Sequence, residues 1–353
     1  MDVRAPVEFN KGAFPGAQNI PLLDDQARHL IGIEYSRAGQ QSAINLGEKL
    51  LSPAQREELV KRWLSFVASN PDGYLYCFRG GLRSRITQQW MSDAGCDYRL
   101  VTGGYKALRQ FLIQTLYEQC EQASFCLIGG RTGTGKTRLL KQIPNSIDLE
   151  GLALHRGSSF GRMAVAQPSN IDFENAVTIA LLALSTTPGM PVYLEDEARM
   201  IGSVCIPEVL RERTQHAPVA VLEAPLEIRV VYAVEDYVVD LLRKHQAKLG
   251  ILAGFNAFAD YHRDSLRRVQ KRFGGVRYKQ ASGLLEQALK THLSTGDTHH
   301  YEPFIEMILT NYYDPMYDYQ MKAKQDRFVF TGDAKNLLEW LVNNDMACRA
   351  GVT

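Results

Sequence analysis

The sequence predicts an α/β protein with two α/β domains in succession, followed by a helical, basic C-terminal extension. Three stretches carry that prediction. Over residues 1–117, short apolar runs alternate with helical ones around the loop "CFRGGLRS" at Cys77–Ser84. "FCLIGGRTGTGKTRLL", Phe125–Leu140, is an apolar strand that enters a glycine-rich loop and then a helix. "YHRDSLRRVQKRFGGVRYKQ", Tyr261–Gln280, sets seven Lys and Arg side chains against a single carboxylate, Asp264. The divisions fall at 1–117 for the first domain, 121–240 for the second core, and 241–353 for the mostly helical remainder packed on that core.

Composition narrows the class. At 45% hydrophobic and 22% charged, the 353 residues are ordinary for a globular protein. The six cysteines form no CxxC pair, which argues for a reducing compartment, the cytoplasm, and against a structural zinc site. No apolar run reaches membrane-spanning length, so no membrane partner is expected. The net charge of +1 makes local clusters of cations more telling than the average. A monomer is expected.

The first domain opens on "DVRAPVEF", read as a strand, and "GAFPGAQNIPL", a turn before a short apolar run. A polar helix is expected over Pro53–Asn70, a buried strand over Gly73–Phe78, and a helix over Leu82–Met91. "YRLVTGGYKALRQFL" closes the domain with a strand, a turn at Gly103 and Gly104, and a helix. Gly80 and Gly81 let the loop after Cys77 turn its N–H groups inward, with a helix N-terminus facing the cup. Arg79, Arg83 and Arg85 would favour the Cys77 thiolate, a nucleophile held beside an oxyanion cup. A structural cysteine among surface arginines is the plainer alternative.

These residues resemble the rhodaneses. Asp2, Val3 and Arg4 are similar to that family's opening motif, Gly12–Pro21 to its G-x-x-P-G-A-x-N-I-P segment, and "LVTGGY" to its closing strand and turn. The resemblance implies a rhodanese-like fold in which Cys77 carries sulfur or selenium covalently, with Arg79 and Arg83 beside it. The sequence lacks the element that usually precedes the first rhodanese strand, so the natural start is expected upstream of Met1. Arg83 also stands at C-x5-R spacing and is followed by Ser84, the spacing of protein tyrosine phosphatase loops. Tyr76 replaces that class's usual histidine, and no nearby aspartate is a clear general acid. A cysteine phosphatase fused to the second domain therefore stays open.

In the second domain Gly130, Gly135, Lys136 and Thr137 match G-x-x-x-x-G-K-[ST] in the strand–loop–helix setting this motif requires, so a P-loop NTPase-like α/β core is expected. Gly130, Gly133 and Gly135 let N–H groups converge on phosphate oxygens, Lys136 bridges terminal phosphates, and Thr137 reaches Mg²⁺. "MPVYLEDEARMIG" reads as a strand ending in carboxylates, with Glu195, Asp196 and Glu197 as candidates to hold Mg²⁺. Thr137 and Asp196 are the expected metal pair. "DLEGLALHRGSSFG", residues 148–161, is a polar loop suited to line the site, with His155 and Arg156 as binding candidates. "VAVLEAPLEIRV" is a further core strand and its exit.

On one helix over Tyr261–Gln280, Arg263, Arg267 and Lys271 would lie a turn apart, with Arg268 and Arg272 in the next row. Arg277 and Lys279 extend the face, while Leu266, Val269 and Phe273 would point to the core. This surface is read as a contact for a nucleic-acid backbone, flanked by Tyr261 and Tyr278 for stacking on bases. A solvated basic helix is the plainer alternative. Leu284–Leu293 and Glu302–Tyr312 read as helices, Asp314-Pro315 as a turn, and "DRFVFTGD" as a last strand before a terminal helix.

Over essentially its full length the chain resembles the tRNA 2-selenouridine synthases, through "CFRGGLRS", "LVTGGYKALRQ", "LIGGRTGTGKT", "DLEGLALHRGSSFG", "EDEARMIGS", "PEVLRER" and "YYDPMYDYQ". The resemblance implies conversion of 2-thiouridine to 2-selenouridine at wobble position 34 of the lysine, glutamate and glutamine tRNAs. It implies two stages: geranylation of the sulfur by geranyl diphosphate, then selenation from selenophosphate through a Cys77 perselenide. Transient contact with a selenophosphate-producing enzyme would follow, and no tightly bound organic cofactor is expected. The P-loop pattern alone suits ATP or GTP as well, so an ATP-dependent tRNA sulfur-transfer or kinase-like enzyme is the alternative. A tRNA-binding adaptor with decayed sites is disfavoured by the intact settings of Cys77 and Lys136.

Overall fold

A computed structural model describes residues 1–184 and 190–343. The chain divides into two compact units: Met1–Thr115 with Ser169–Ile179, and Leu116–Pro168 with Ala180 onward. The 169–179 stretch, inside the expected second core, thus belongs with the first unit.

In the first unit the parallel pairing is reduced to single bridges, Asp2 to Asn19, Asp2 to Tyr76, and Leu75 to Leu100. The expected strand over "DVRAPVEF" is therefore corrected. Pro6 supplies a preset φ at the start of helix α1, Pro6–Phe9, whose backbone turns away after Ala5. Likewise Gly73–Phe78 pairs only at Leu75 and Tyr76. Helices α2 (Asp25–Leu50, kinked where Gly39 takes φ +81°), α3 (Pro53–Ser69), α4 (Leu82–Asp93) and α5 (Gly104–Gln122) surround these segments. Ser52 and Gln55 cap α3 reciprocally. The core gathers Val3, Ile20, Trp63, Leu75, Met91 and Tyr98 around Cys77. Within it Arg4 forks onto Asp2, gives a hydrogen bond of 2.8 Å to the Gly12 carbonyl, and stacks 3.7 Å over Tyr105.

The second unit is built on β1 (Phe125–Gly129), α6 (Lys136–Leu140), β2 (Ser146–Ile147), α7 (Leu149–Leu152), α8 (Asn170–Leu184, whose first part lies in the first unit) and β3 (Val192–Glu195). A hairpin follows, β4 (Met200–Ile201) and β5 (Val204–Cys205), then α9 (Glu208–Thr214) and β6 (Val219–Leu222). The sheet is all parallel in the order β2-β3-β1-β6-β7, where β7 is Phe328–Gly332. Every residue of β1, β3 and β6 is buried, as strands covered on both faces must be. Leu139, Leu140, Leu337 and Leu341 supply packing, the last two from α16 (Ala334–Asn343).

The extension is helical: α10 (Leu226–Val234), α11 (Asp240–Leu249), α12 (Ile251–Phe273), α13 (Gly275–Thr295), α14 (Glu302–Ile308) and α15 (Asp314–Lys322). A π-helical turn, Glu235–Val239, joins α10 to α11, and another, Leu309–Tyr313, joins α14 to α15. The basic segment is thus two helices, because Gly274 at φ +88° ends α12. Leu266, Val269 and Phe273 do face the core. Tyr261 is buried with them, its hydroxyl bonded to the Phe160 carbonyl, so its expected role in base stacking is corrected. Asp314-Pro315 is no turn: Pro315 takes the first turn of α15, where its missing N–H costs nothing. No helix among the described residues is long and apolar enough to cross a membrane.

Candidate functional site

Each unit carries one candidate site. In the first, Cys77 lies where the Leu75–Tyr76 segment ends, and α4 begins at Leu82. Its Sγ accepts a hydrogen bond from Ser84 Oγ at 2.8 Å. Burial, the largest influence, pushes the thiol up. The Ser84 hydroxyl and N–H, the Arg83 charge and the Arg79 N–H outweigh it, and the net shift favours the thiolate. The Ser84 hydroxyl thus stands ahead of the arginines that were expected to have this effect. Arg83 is forked onto Glu8 (Nη2 at 3.1 Å), whereas Arg79 and Arg85 are exposed. Gly80 takes φ +63°, and a Cβ there would meet the Gly103 N at 2.9 Å, so a side chain is barred where loop and closing turn touch.

In the second unit the loop from Gly130 to Thr137 bounds a cavity of about 540 Å³. Its glycines are forced by position. A Cβ on Gly130 would meet the Leu222 carbonyl at 2.6 Å, and one on Gly133 the Arg229 carbonyl at 2.8 Å, both at positive φ. Gly135, also at positive φ, lies against the Tyr232 ring. Lys136 Nζ is turned onto the Gly130 carbonyl at 2.8 Å. Arg229, buried, holds the loop from behind. Its Nε donates to the Thr132 carbonyl at 2.9 Å, while its two Nη atoms fork onto Asp314 at 3.0 and 2.6 Å. Nothing in the sequence hints at this clamp, since "YYDP" and the loop meet only in the fold.

The carboxylates sort themselves. Both oxygens of Asp196 accept from Lys324 Nζ, at 2.6 and 2.8 Å, and Asp196 lines the same cavity as Thr137. The carboxylate beside Thr137 is Glu150, with Oε2 3.5 Å from the hydroxyl. Burial, and then the charges of Glu197 and Glu195, push Glu150 far up. Glu197 is raised too, mainly by burial. Glu195, at the end of β3, accepts from the Leu149 N–H and keeps a buried Oε1 without a partner; burial, then Asp148, raises it to about 8. Among the described residues no three His, Cys, Asp or Glu side chains are arranged to cage a metal. A P-loop magnesium needs no such cage, being held by a hydroxyl, one or two carboxylates, waters and the phosphates themselves. Thr137, Glu150, Asp196 and Glu197 line the cavity and fit that donor set.

Arg156 borders the cavity and pairs with Asp236 and Asp240 at 3.1 and 3.0 Å. His155 does not border it. It is buried beneath the β4–β5 hairpin, near Gly202, and is held below its ordinary pKa by burial and by Arg162 and Arg268. The loop around it is pinned by three tyrosines: Ser158 bonds Tyr237 at 3.0 Å, Ser159 bonds Tyr312 at 3.1 Å, and the Phe160 N–H donates to Tyr313 at 3.3 Å.

On the basic segment, Arg263 forks onto Glu286 at 2.7 Å and also meets Asp260, and Arg267 pairs with Asp264. Arg268, Lys271, Arg272, Arg277 and Lys279 are exposed and without a carboxylate partner among the described residues. Arg268 reaches Ser265 Oγ at 3.0 Å and the Ser159 carbonyl at 3.5 Å. Arg162, missed by sequence reasoning, lies 5.2 Å over the Tyr261 ring in the same neighbourhood.

Fold and sites together define a protein that joins a rhodanese-like thiol unit to a P-loop unit. A rhodanese-like domain model matches residues 1–110, and a model described as the tRNA 2-selenouridine synthase AAA domain matches residues 123–347. The tRNA 2-selenouridine synthase of Marinobacter nauticus is 50% identical over 340 residues, 96% of this chain and 93% of that protein. Those of Cupriavidus pinatubonensis and Hahella chejuensis are 47% and 46% identical, covering 97% and 98% of this chain and 93% and 91% of theirs. The chain belongs to the tRNA 2-selenouridine synthase family.

Proposed function

We propose that this chain is a transferase that converts 2-thiouridine at position 34 of the lysine, glutamate and glutamine tRNAs to 2-selenouridine. Geranyl diphosphate acts first and selenophosphate second. The observation that carries this reading is the presence in one chain of an activated thiol, Cys77, and a phosphate loop held from behind by Arg229, with Lys136 at its end.

In the first stage the diphosphate lies along the N–H groups of the 130–137 loop, and Lys136 leaves the Gly130 carbonyl for the phosphate oxygens. Thr137 and Glu150 would hold Mg²⁺, which supplies charge neutralisation for the departing diphosphate. The sulfur of the base takes the geranyl carbon as the C–O bond to diphosphate breaks, and the base gives up its N3 proton. Alkylation turns a poor leaving group into one that departs as a thiol. In the second stage selenium enters at C2 and geranylthiol leaves. The unpaired cations, Arg268, Lys271, Arg272, Arg277 and Lys279 with Arg162, would contact the tRNA backbone, while Arg263 and Arg267 are already neutralised.

A Cys77 perselenide demands more than displacement. Selenium in selenophosphate is at the selenide level, so a thiolate that captured it with phosphorus departing would release phosphite, not phosphate. A perselenide belongs to this reading only with that product or an added two-electron oxidant.

Mass spectrometry of one 2-thiouridine tRNA, supplied with geranyl diphosphate and then selenophosphate, tests the two-site reading. Lys136→Ala should never yield the geranylated base, and Cys77→Ala should stop at it. Geranylation that survives Lys136→Ala, or that requires ATP in the intact chain, would remove the diphosphate from the P-loop.

A further inference from the structure

We propose that the inward face of α15 holds the isoprenoid chain of the diphosphate substrate, a branched hydrocarbon laid along tyrosine rings and methionine thioethers. The inference rests on the function proposed above, in which the 130–137 loop takes the diphosphate, and it assigns the other half of that substrate.

The two ends of geranyl diphosphate have opposite needs. The diphosphate needs N–H groups and cations, whereas the chain is stabilised by removal from water. The cavity at the phosphate loop is lined accordingly. The loop borders it with backbone N–H groups and Lys136, and the helix with Tyr313, Met316, Tyr317 and Met321. Those four stand at i, i+3, i+4 and i+8, which is one helical face. Gln320 and Lys324 share the face, but Gln320 is exposed and Lys324 is turned onto Asp196.

Two carboxylates hold this helix against the loop. Asp314 takes the fork of Arg229, whose Nε donates to the Thr132 carbonyl. One turn on, Asp318 accepts from Arg131 Nε at 3.1 Å and Nη2 at 2.6 Å. Met321 is buried further along, where a Cβ placed on Gly129 would meet its Cε at 3.6 Å. The apolar wall is therefore continuous with the loop. From Tyr313 to Met321 it runs about 12 Å along the helix. An extended geranyl main chain spans roughly 9 Å and lies within that length.

The same wall is poorly suited to a nucleotide base. The methionines carry no donor, and the Tyr313 hydroxyl already accepts from the Phe160 N–H at 3.3 Å. Only the Tyr317 hydroxyl, buried without a partner among the described residues, is left to bond. One hydroxyl cannot read the several polar groups of a purine edge. The tyrosine π faces attract the positive charge that grows on the allylic carbon as diphosphate departs, and thioethers adapt their shape to a branched chain.

Calorimetric titration of the full chain with Mg²⁺ and without tRNA tests the inference. The probes are inorganic pyrophosphate, dimethylallyl diphosphate and geranyl diphosphate. The parent should bind geranyl diphosphate at least about 30-fold more tightly than dimethylallyl diphosphate, since each CH₂ removed from water is worth roughly fourfold. Met316→Ala with Tyr317→Ala should cut that advantage at least about tenfold while changing pyrophosphate affinity less than about threefold. Tyr319→Ala, on the outward side of α15 at 81% exposure, should move neither. The advantage is a ratio between probes that share the diphosphate, so a general loosening of the loop cancels from it. An advantage that survives the double variant would overturn the inference and leave the diphosphate on its loop, as would a parent that binds both alkyl diphosphates alike. A double variant that raises only the KM for 2-thiouridine tRNA in geranylation would give the wall to the base and overturn it too. If the parent binds neither pyrophosphate nor geranyl diphosphate, the proposed function fails and takes the inference with it.

Discussion

At the scale of single residues, Cys77 and Glu195 make opposite statements about burial. Cys77 is buried yet tilted toward its anion, because donors converge on sulfur. A hydrogen bond to a charged group is worth about 1.5–3 kcal/mol, roughly one to two pH units. Ser84→Ala should therefore move the midpoint of Cys77 alkylation by iodoacetamide upward by about that much. Glu195 lacks such donors on Oε1 and holds its proton up to about 8, against an ordinary value of 4.5. Between those values the folded chain keeps a proton that the unfolded chain releases, so this group's contribution to stability falls as pH rises through the window. Without divalent metal, Glu195→Gln should match the parent's denaturation midpoint near pH 5 and exceed it at pH 8.5. In a unit of this size each kcal/mol is worth about 2–4 °C.

At the scale of elements, the P-loop depends on a clamp that is distant in sequence. Asp314→Ala would strand the buried Arg229 charge and release the Thr132 carbonyl. Leaving one partner of a buried ion pair alone costs about 3–5 kcal/mol, whereas removing both charges costs less. Thermal denaturation should thus rank Asp314→Ala below the double variant Arg229→Met, Asp314→Leu, and both should lose pyrophosphate affinity. The loop is legible in the sequence because its glycine demands are local: backbone passes so close to Gly130 and Gly133 that spacing alone announces them. Leu266, Val269 and Phe273 are legible as a helical stripe for a similar reason. What escapes is made by the fold. Lys324 reaches the cavity from a distant segment, and α2, with only Ala43 buried, presents no apolar stripe to read. Pro315 misleads because proline punctuates turns and opens helices alike. Tyr261 misleads because a tyrosine hydroxyl suits a buried carbonyl as well as it suits water.

At the scale of the whole molecule, a net charge of +1 conceals an uneven distribution. In the second unit, acidic partners pair with Arg263 and Arg267, while Arg162 and Arg268 have no carboxylate partner among the described residues, the latter lying beside the Ser159 carbonyl. Each phosphate contact contributes about 0.7–0.9 to the slope of log affinity against log salt. For tRNA binding followed across a KCl series, Arg162→Ala with Arg268→Ala should flatten that slope by about 1.4–1.8. Arg263→Ala with Arg267→Ala should change it by less than half as much. Equal effects from the two pairs would show that ion pairing in the free chain does not decide which cations meet RNA.

Strand β7 pairs with β6 only after the entire helical extension has intervened, and on its far side it is the sheet's edge. On the ribosome, then, β6 must emerge and wait with a bare apolar flank while the extension is made, because its last partner is translated only after that extension. Interrupted translation therefore has an asymmetric outcome. A chain cut after Lys324 would expose Val219–Leu222 as a sticky edge, and it should partition to the insoluble fraction and call on holding chaperones more than the 353-residue chain.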